Sequence, residues 1–341
     1  MGTLAEMLST PLGVIEWFVY LLAAVMFVIG LHLMNSPKTA RKGNMVSAIG
    51  MVFAVAMAFI VLFAGEASNG FKHGVAVIVL IVGIVIGAVA GVVSAKKVKM
   101  TDMPQLVSVF NTVGGGAAAL VALNDILTSA ETPSIVVLIT AGLGIMIGSV
   151  TFSGSLIAAG KLQGIKWVKK LNLPGKGFWN ILFAVLTVVS FVMLCVQPGQ
   201  RLLWSVLTTV FALCYGLVFV IPIGGADMPV VISVLNACTG TAVAMSGLAI
   251  NNIALIVAGA LVGAAGVTLS IAMSKAMNRP LLSVLAGGFG GSNAAAGAGE
   301  GPEGTMKETS ADDLAVQLVY AEKVIFVPGF GLAQAQAQRE L

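Results

Sequence analysis

One short phrase occurs twice in the chain and brings polar side chains into an apolar protein. The stretch TDMPQLVSVFN at 101–111 returns as ADMPVVISVLN at 226–236, so that Asp, Met, Pro, Ser, Val and Asn recur in the same order 125 residues apart. Only 9% of the residues are charged. Carboxylate, hydroxyl and amide groups all exchange hydrogen bonds with water. The repeat therefore raises the question of a polar path between helices.

The polar residues of each copy fall on one narrow face of a helix. Positions i, i+4, i+7 and i+11 hold Pro104, Ser108, Asn111 and Gly115 in the first copy, and Pro229, Ser233, Asn236 and Gly240 in the second. One interpretation is a set of interhelical hydrogen bonds, each stabilising by about 0.6–2 kcal/mol. The other is a polar file that admits water between helices. Because both helices run in the same direction, we expect the Ser–Asn pairs to face a common central path.

The two aspartates of the phrase have a simpler interpretation as helix caps. Asp102 and Asp227 come directly before a helical pattern, and Pro104 and Pro229 follow in the first turn, where the missing N–H has no cost. For the Asp-x-Pro part alone, a structural role and a functional role both stay open.

The elements that position these residues are membrane helices. The chain has 58% hydrophobic residues, 41 glycines and a mean hydropathy of +1.02, which excludes a soluble globular protein. A bilayer core requires about 20 apolar residues per helix. Nine stretches meet this length, at about 14–34, 45–64, 74–95, 104–123, 135–160, 178–196, 201–222, 228–249 and 252–274. The sequence therefore predicts an all-α polytopic membrane protein with about nine helices in a bundle.

The last predicted span carries a stripe of small residues. Gly259, Gly263, Gly266 and Ser270 share one face, which allows close contact with another helix. Tight packing alone explains such a stripe. A face without large side chains would also let the helix move along its neighbour. The spacing leaves both interpretations open.

Basic residues alternate between the loops and predict an orientation. They are concentrated in the first, third and fifth loops, at Lys38, Arg41, Lys42, Lys96, Lys97, Lys99, Lys161, Lys166, Lys169, Lys170 and Lys176. Cytoplasmic loops carry such an excess, so the N-terminus is expected outside and residues after 274 inside. The pI near 9.0 follows from this topology and indicates no nucleic-acid partner.

Titratable groups are scarce where a proton relay would need them. Membrane relays normally use Asp, Glu or His, and none of the charged residues lies near the middle of a predicted span. His32 is expected at a helix end and His73 in a loop. The three cysteines lie in apolar segments without paired spacing, which predicts neither a disulfide nor a metal site.

The composition changes after Arg279. Residues 280–306 include a Gly-rich low-complexity stretch typical of a flexible linker. SADDLAVQLVYA then predicts a helix from Ser310, with Asp313 at capping-box distance. KVIFVPGFGLAQAQAQREL predicts a strand, a Gly-rich turn with Gly329 and Gly331, and the start of a helix, which together suit the opening of a dinucleotide-binding unit. The sequence thus divides into a membrane domain at 1–279, the linker at 280–306, and an incomplete Rossmann-like α/β tail at 307–341.

Four stretches carry a resemblance to a known family. GGADMPVVISVLN, GALVGAAG, KAMNRPLLSVLAGGFG and VPGFGLAQAQAQ occur in the order found in the β subunit of the proton-translocating NAD(P) transhydrogenase. The resemblance covers the nine-helix part, the linker and the opening of the NADP(H)-binding domain.

The resemblance implies a function for the whole complex. It implies Re/Si-specific hydride transfer from NADH to NADP⁺, coupled to proton movement into the cytoplasm through the membrane helices. It further implies NADP(H) on the β domain, NAD(H) on a partner α subunit, a homodimer of the αβ unit, surrounding membrane lipid, and a bacterial inner membrane.

Roles for single residues follow from the resemblance and from the helical spacing. The resemblance places Asn236 on the proton path, and the shared helical faces add Ser108, Asn111 and Ser233. Coupling to the nucleotide domain would involve Asp227, Lys275, Arg279, Gly259, Gly263 and Gly266. We expect Asp227 to lie near Lys275 and Arg279 at the cytoplasmic mouth, because the two cations follow the last helix on the same side of the membrane. NADP(H) contacts would come from Gly329, Phe330, Gly331 and Ala333. No catalytic residue and no metal ligand is expected in this chain.

Departures from the family pattern and two alternatives complete the prediction. Some members carry His where this chain has Asn111, and others place the histidine on the α subunit, as expected here. Phe330 replaces a common Tyr, and Gln334 replaces a common small apolar residue. Because the nucleotide domain is incomplete at Leu341, we expect this chain alone to be inactive.

The alternatives are a secondary transporter with parallel repeats and a substrate site at Asn111 and Asn236, or an inactive fragment of a split gene.

Overall fold

The structure is a computed structural model, and it describes residues 10–64, 70–99, 102–129, 132–165, 168, 175–286 and 311–327. Within these ranges, the long apolar helices are α1 (Pro11–Met34), α2 (Ala40–Ala64), α3 (Gly70–Lys97), α4 (Met103–Thr128), α5 (Ile135–Leu162), α6 (Lys176–Val196), α7 (Arg201–Val220), α8 (Met228–Ala249) and α9 (Ile253–Ala276). All nine are long and apolar enough to cross a membrane. The predicted nine-helix architecture is therefore confirmed for the described part of the chain.

Local side-chain and backbone signals fix where several helices begin and end. Thr10, Ser134 and Asn252 each cap a helix by accepting a hydrogen bond from a backbone N–H three residues on. His32 lies in the last turn of α1, as predicted. The prediction that His73 lies in a loop is wrong, because α3 begins three residues earlier, at Gly70.

The connection between α8 and α9 is very short. Asn251 adopts the left-handed conformation with φ 58°, and the N–H groups of Asn251 and Asn252 bond back to the carbonyls of Leu248 and Gly247 at 3.3 and 2.8 Å. This pattern is the Schellman arrangement that closes helix C-termini. Asn252 then caps α9, so the two helices form a hairpin with almost no intervening loop.

The helices pack in a continuous order with α8 near the centre. α8 contacts α9, α5 and α4, and α5 contacts α4, α7 and α6. On the other side, α9 contacts α1, which pairs with α2. The apolar span Val77–Lys97 of α3 has none of its most hydrophobic window buried, as expected of a surface that faces lipid.

Two apolar clusters lie at opposite ends of the central helices. The cluster at the start of α8 contains Ile157, Ala158, Val168, Val220, Ile221, Ile223, Met228, Val230, Val231, Ile232, Leu235 and Val284. The cluster at the end of α8 contains Ala122, Ile126, Leu138, Ala141, Ile145, Leu194 and Ala249. Between them, residues 236–246 of α8 pack mainly through small and polar side chains. The polar zone is thus enclosed at both ends by close-packed apolar groups.

The part after α9 contains two short helices in its described ranges. α10 (Leu281–Ala286) lies against α8 and α9, and its Val284 is buried in the first cluster. The predicted linker begins at this helix, and its remainder lies outside the described residues. α11 (Ala311–Tyr320) confirms the predicted tail helix, while its predicted cap Ser310 lies outside the described residues.

The predicted strand at 323–327 is wrong. These residues form neither helix nor strand, and the described residues contain no strand at all. A strand is stable only beside a partner that completes its hydrogen bonds, and the described ranges offer none. The α/β character of the tail is therefore not supported by the described part of the chain.

Candidate functional site

The two repeated aspartates begin α4 and α8 without capping them. Asp102 (φ −99°, ψ 3°) and Asp227 (φ −87°, ψ −9°) occupy the N-cap positions, and neither side chain bonds to the helix N-terminus. A capping side chain requires an extended backbone at this position, and these backbones are close to helical. The interpretation of Asp102 and Asp227 as caps is therefore wrong. Pro104 and Pro229 do lie in the first turns, as predicted.

Ser108 and Asn111 join α4 to α5 through one residue. Ser108 Oγ donates to the carbonyl oxygen of Ser155 at 2.7 Å, and Asn111 Nδ2 donates to Ser155 Oγ at 2.8 Å. Both side chains are buried, with Ser108 fully buried and Asn111 6% exposed. The structure thus brings these two predicted residues together inside the bundle. Ser155 is a partner that the sequence did not indicate.

Ser233 and Asn236 occupy the corresponding turns of α8. Ser233 Oγ donates to the carbonyl oxygen of Gly266 on α9 at 3.2 Å, and Ser270 Oγ donates to the same oxygen at 2.7 Å. Asn236 is half-buried. The first Ser–Asn pair therefore bonds to α5, whereas Ser233 of the second pair bonds to α9.

A third set of polar groups lies where α4 meets α8. Ser246 Oγ donates to the carbonyl oxygen of Ala118 at 3.0 Å, and Thr239 Cγ2 lies 3.3 Å from the position that a Cβ on Gly114 would take. We call this contact, defined by Gly114, Ala118, Thr239 and Ser246, the α4–α8 seam. Thr239 Oγ1 and the nearby Asn111 Oδ1 are buried and have no hydrogen-bond partner among the described residues. Buried polar atoms of this kind are commonly satisfied by ordered water, so the seam can hold a hydrogen-bonded file.

The glycine stripe of α9 packs directly on the backbone of α8. A Cβ on Gly259 would lie 2.4 Å from Ala244 N and 2.6 Å from Gly240 O. A Cβ on Gly266 would lie 2.7 Å from Ala237 N, whereas one on Gly263 would meet nothing closer than 3.5 Å. A side chain at Gly259 or Gly266 would therefore clash with the backbone of α8, whereas the direction of a Cβ on Gly263 leaves room for it.

Asp227 forms an ion pair with Arg279 across the start of α8. Arg279 Nη1 donates to both carboxylate oxygens of Asp227, at 2.7 and 2.8 Å. The Asp227 side chain is 14% exposed and that of Arg279 is 38% exposed, so the pair lies at the rim. Lys275 lies one turn earlier on α9, and it is exposed. The structure brings Asp227 and Arg279 together as expected, with Lys275 on the adjoining turn.

The end of α9 determines where Arg279 points. Asn278 adopts the left-handed conformation with φ 52°, and the N–H groups of Asn278 and Arg279 bond to the carbonyls of Lys275 and Ser274 at 3.0 and 3.1 Å. Ser274 Oγ also donates to the carbonyl oxygen of Arg279. This closed Schellman turn holds the residue that follows it in a fixed direction. Arg279 is therefore positioned by the backbone of MSKAMNRP.

Lys161 is a site residue that the sequence did not single out. The sequence pattern places Lys161 among the basic loop residues, but in the structure it lies in the last turn of α5. Its Nζ donates to the carbonyl oxygens of Val220 and Ile223 at 3.2 and 2.8 Å, and also to that of Ile221. A cation there meets the negative end of the α7 dipole and holds the segment before Asp227. The available signal was the position of Lys161, which comes directly after the predicted span at 135–160 and so within reach of the helix ends.

The predicted nucleotide contacts Gly329, Phe330, Gly331 and Ala333 lie outside the described residues. Among the residues that the structure describes, no group of three or more His, Cys, Asp or Glu side chains could hold a metal ion.

Comparisons with known proteins show which family the chain belongs to. The family model for the NAD(P) transhydrogenase beta subunit matches residues 16–341. Two curated relatives from Rhodospirillum rubrum, both described as NAD(P) transhydrogenase subunit beta, are 41% identical over 331 residues, which cover 94% of this chain and 68% of each relative. This match does not favour a secondary transporter or an inactive fragment. The described part of the chain holds nine helices that can cross a membrane, and the match runs along the length of the chain; the chain therefore belongs to the NAD(P) transhydrogenase beta subunit family and is a membrane subunit of the proton-translocating enzyme.

Proposed function

We propose that this chain couples Re/Si-specific hydride transfer from NADH to NADP⁺ with proton movement into the cytoplasm, as a partner of a transhydrogenase α subunit. The observation that carries this proposal is the state of Asn111. Its amide nitrogen is fixed on Ser155, while its amide oxygen is buried and has no partner in the part of the chain that the structure describes, at about two turns into α4. A fixed amide with a free acceptor is suited to orient water in a path.

The proton path that we propose follows the polar zone between the two apolar clusters. Asn111 lines it on α4 and Asn236 on α8, and Ser108 and Ser233 lie about one turn before them, toward the Asp227 end. A hydrogen-bonded water chain can pass a proton along such groups without any of them becoming charged. This explains how a path can cross the middle of a membrane that lacks titratable side chains there.

Coupling would take place at the Asp227 end. The ion pair joins the start of α8 to the end of α9, and Lys275 stands beside it on α9. The close contacts of Gly259 and Gly266 with α8, with Gly263 between them, would transmit a movement of α9 to the helix that carries Asn236. A change at the pair could therefore open or close the path at its middle.

The setting of the complex is also part of the proposal. We place the N-terminus outside and the chain after α9 in the cytoplasm of a bacterial inner membrane, because the basic residues alternate between the loops. The α-subunit helices, a second αβ unit and lipid would cover the apolar surface that α3 exposes.

The nucleotides belong to different subunits in this proposal. NAD(H) would bind the α subunit, and NADP(H) would bind the β side at a site that includes Gly329, Phe330, Gly331 and Ala333. Bound together, the two nucleotides supply the hydride donor and acceptor. No residue of the described membrane part contacts the reacting atoms in this scheme.

Asn111→Leu in a complete α–β complex reconstituted in vesicles tests the path. We expect the proton-coupled rate to fall roughly tenfold, which corresponds to 1.36 kcal/mol, while hydride exchange that bypasses proton movement is largely retained. The matched control is Phe110→Leu, because Phe110 is the neighbouring residue and is 48% exposed on the apolar surface. Normal proton uptake in the Asn111→Leu vesicles would contradict the proposed path.

A further inference from the structure

We propose that Asp125 is the titratable group that exchanges protons between the α4–α8 seam and the aqueous phase at the end opposite Asp227. The inference rests on the proposed function and deepens it, because it supplies the ionisable group that the middle of the path lacks. It assigns a role to a half-buried acid that the coupling site does not use.

The position of Asp125 on α4 places it in line with the seam. Gly114 and Ala118 are the α4 residues that meet Thr239 and Ser246 of α8. Asp125 follows them at i+11 and i+7, which returns to within about 20° of each on a helix of 3.6 residues per turn. The carboxyl group therefore lies on the same stripe of α4, in the last turn of the helix.

Three buried side-chain oxygens on α4 and α8 lack hydrogen-bond partners among the described residues. Asp125 Oδ2 is buried and unpartnered among the described residues, as are Asn111 Oδ1 and Thr239 Oγ1. A buried carboxylate oxygen without a donor is costly unless a proton or a water molecule satisfies it. The protonated acid and the hydrated carboxylate are also the two states between which a proton-exchanging group alternates.

A structural explanation of Asp125 is weak. An acid in the last turn of a helix faces the negative end of the helix dipole, so its charge does not stabilise α4. The helix end is instead closed by Ser129, whose N–H and Oγ both bond to the backbone carbonyl of Asp125 at 3.2 and 2.6 Å. The carboxyl group takes no part in that closure.

The helices that pack against α4 contribute few charged groups near Asp125 in the described part of the chain. α4 packs against α5, α8 and α7. Residues 135–148 of α5 and 239–249 of α8 contain no Asp, Glu, Lys, Arg or His. α7 begins with Arg201, whose Nη2 donates to the carbonyl oxygen of Ser129 at 2.6 Å, one turn beyond Asp125.

The step itself is a balanced proton transfer. The Asp125 carboxylate accepts one proton from the aqueous phase and becomes a neutral carboxylic acid. It then donates that proton to the first water of the seam and regains its charge. No electron moves and no further reactant is required.

Asp125→Asn and Asp125→Glu in the complete reconstituted complex test the proposal. Asparagine keeps the size but cannot titrate, and glutamate keeps the acid. We expect Asp125→Asn to lower proton-coupled transhydrogenation roughly tenfold with hydride exchange largely intact, and Asp125→Glu to retain coupling with a shifted dependence on the pH of the outer solution. Asn124→Ala is the control, because Asn124 is the adjacent residue and is exposed.

Each outcome supports or overturns the role of Asp125. Normal coupling in an assembled Asp125→Asn complex would overturn the role of Asp125. If that variant fails to assemble, the Asp125→Glu profile decides, because an unchanged dependence on outer pH would also overturn it. Loss of coupling in Asn111→Leu with normal Asp125→Asn would leave the path standing and remove only this inference. Normal coupling in both variants would remove the path itself.

Discussion

Lys161 Nζ lies 2.8 Å from the carbonyl oxygen of Ile223, four residues before Asp227. The bond ties the end of α5 to the segment that delivers the aspartate to its arginine. An uncharged side chain of similar length would leave the carbonyls that end α7 without this donor.

Lys161→Met should therefore loosen the segment at 221–227. Hydrogen bonds from a charged group typically contribute about 1.5–3 kcal/mol, and we expect the free energy of unfolding in detergent to fall by that order. Lys97→Met is the matched control, since Lys97 is an exposed lysine in the last turn of α3. Equal losses in the two variants would show that the Lys161 contacts contribute nothing specific.

Gly259→Ala and Gly263→Ala should differ although they change the same stripe. The new methyl group at 259 would lie 2.4 Å from a backbone nitrogen of α8, so the helices must separate, while the one at 263 fits at 3.5 Å. We expect Gly259→Ala to destabilise the protein by about 1–3 kcal/mol and Gly263→Ala to have little effect. Thermal unfolding of both purified variants in one detergent makes the comparison, and equal melting temperatures would disprove it.

Asp227→Asn should separate coupling from assembly. The pair is at the rim, where an ion pair stabilises by about 0–1 kcal/mol, so the complex should assemble normally. We expect the proton-coupled rate to fall roughly tenfold, with a smaller loss of hydride exchange.

Arg279→Gln should have the same effect, and the double variant should be no worse than either single one. Arg41→Gln, which removes an exposed charge on α2, is the control. Equal loss of coupled activity and exchange in a well-assembled Asp227→Asn complex would show that the pair does not couple them.

The proposed orientation predicts which loops react with a membrane-impermeant thiol reagent. In a background without Cys195, Cys214 and Cys238, Gly199→Cys should be labelled in intact cells, because Gly199 is exposed between α6 and α7. Lys97→Cys, at the end of α3, should be labelled only after the membrane is opened. The reverse pattern would invert the topology.

The helices were the most predictable part of the structure, because a bilayer demands length and apolarity that composition alone reveals. The face that carries Ser108 and Asn111 was also predictable, since helical spacing fixes which side chains share a side. The contact of Asp227 with Arg279 followed from both residues flanking spans that end on the same side of the membrane.

Other features depended on contacts that no local pattern contains. Asp102 and Asp227 look like caps, but their own backbones lie close to the helical region and neither side chain bonds to the helix N-terminus. Lys161 acts on carbonyls 59–62 residues further along the chain. The β-branched run at 323–327 has strand propensity, yet propensity forms no sheet without a neighbour.

The hairpin turn at Asn251 and Asn252 gives α9 the properties of a lever. The N-terminal end of α9 is joined to α8 by this very short turn, so displacement there is small. α9 has 24 residues, or about 36 Å, and a tilt of about 5° around that turn would carry its other end through about 3 Å. That end is where Arg279 reaches Asp227. A slight rotation at the pivot is thus amplified into a displacement as long as the hydrogen bonds that join the two residues.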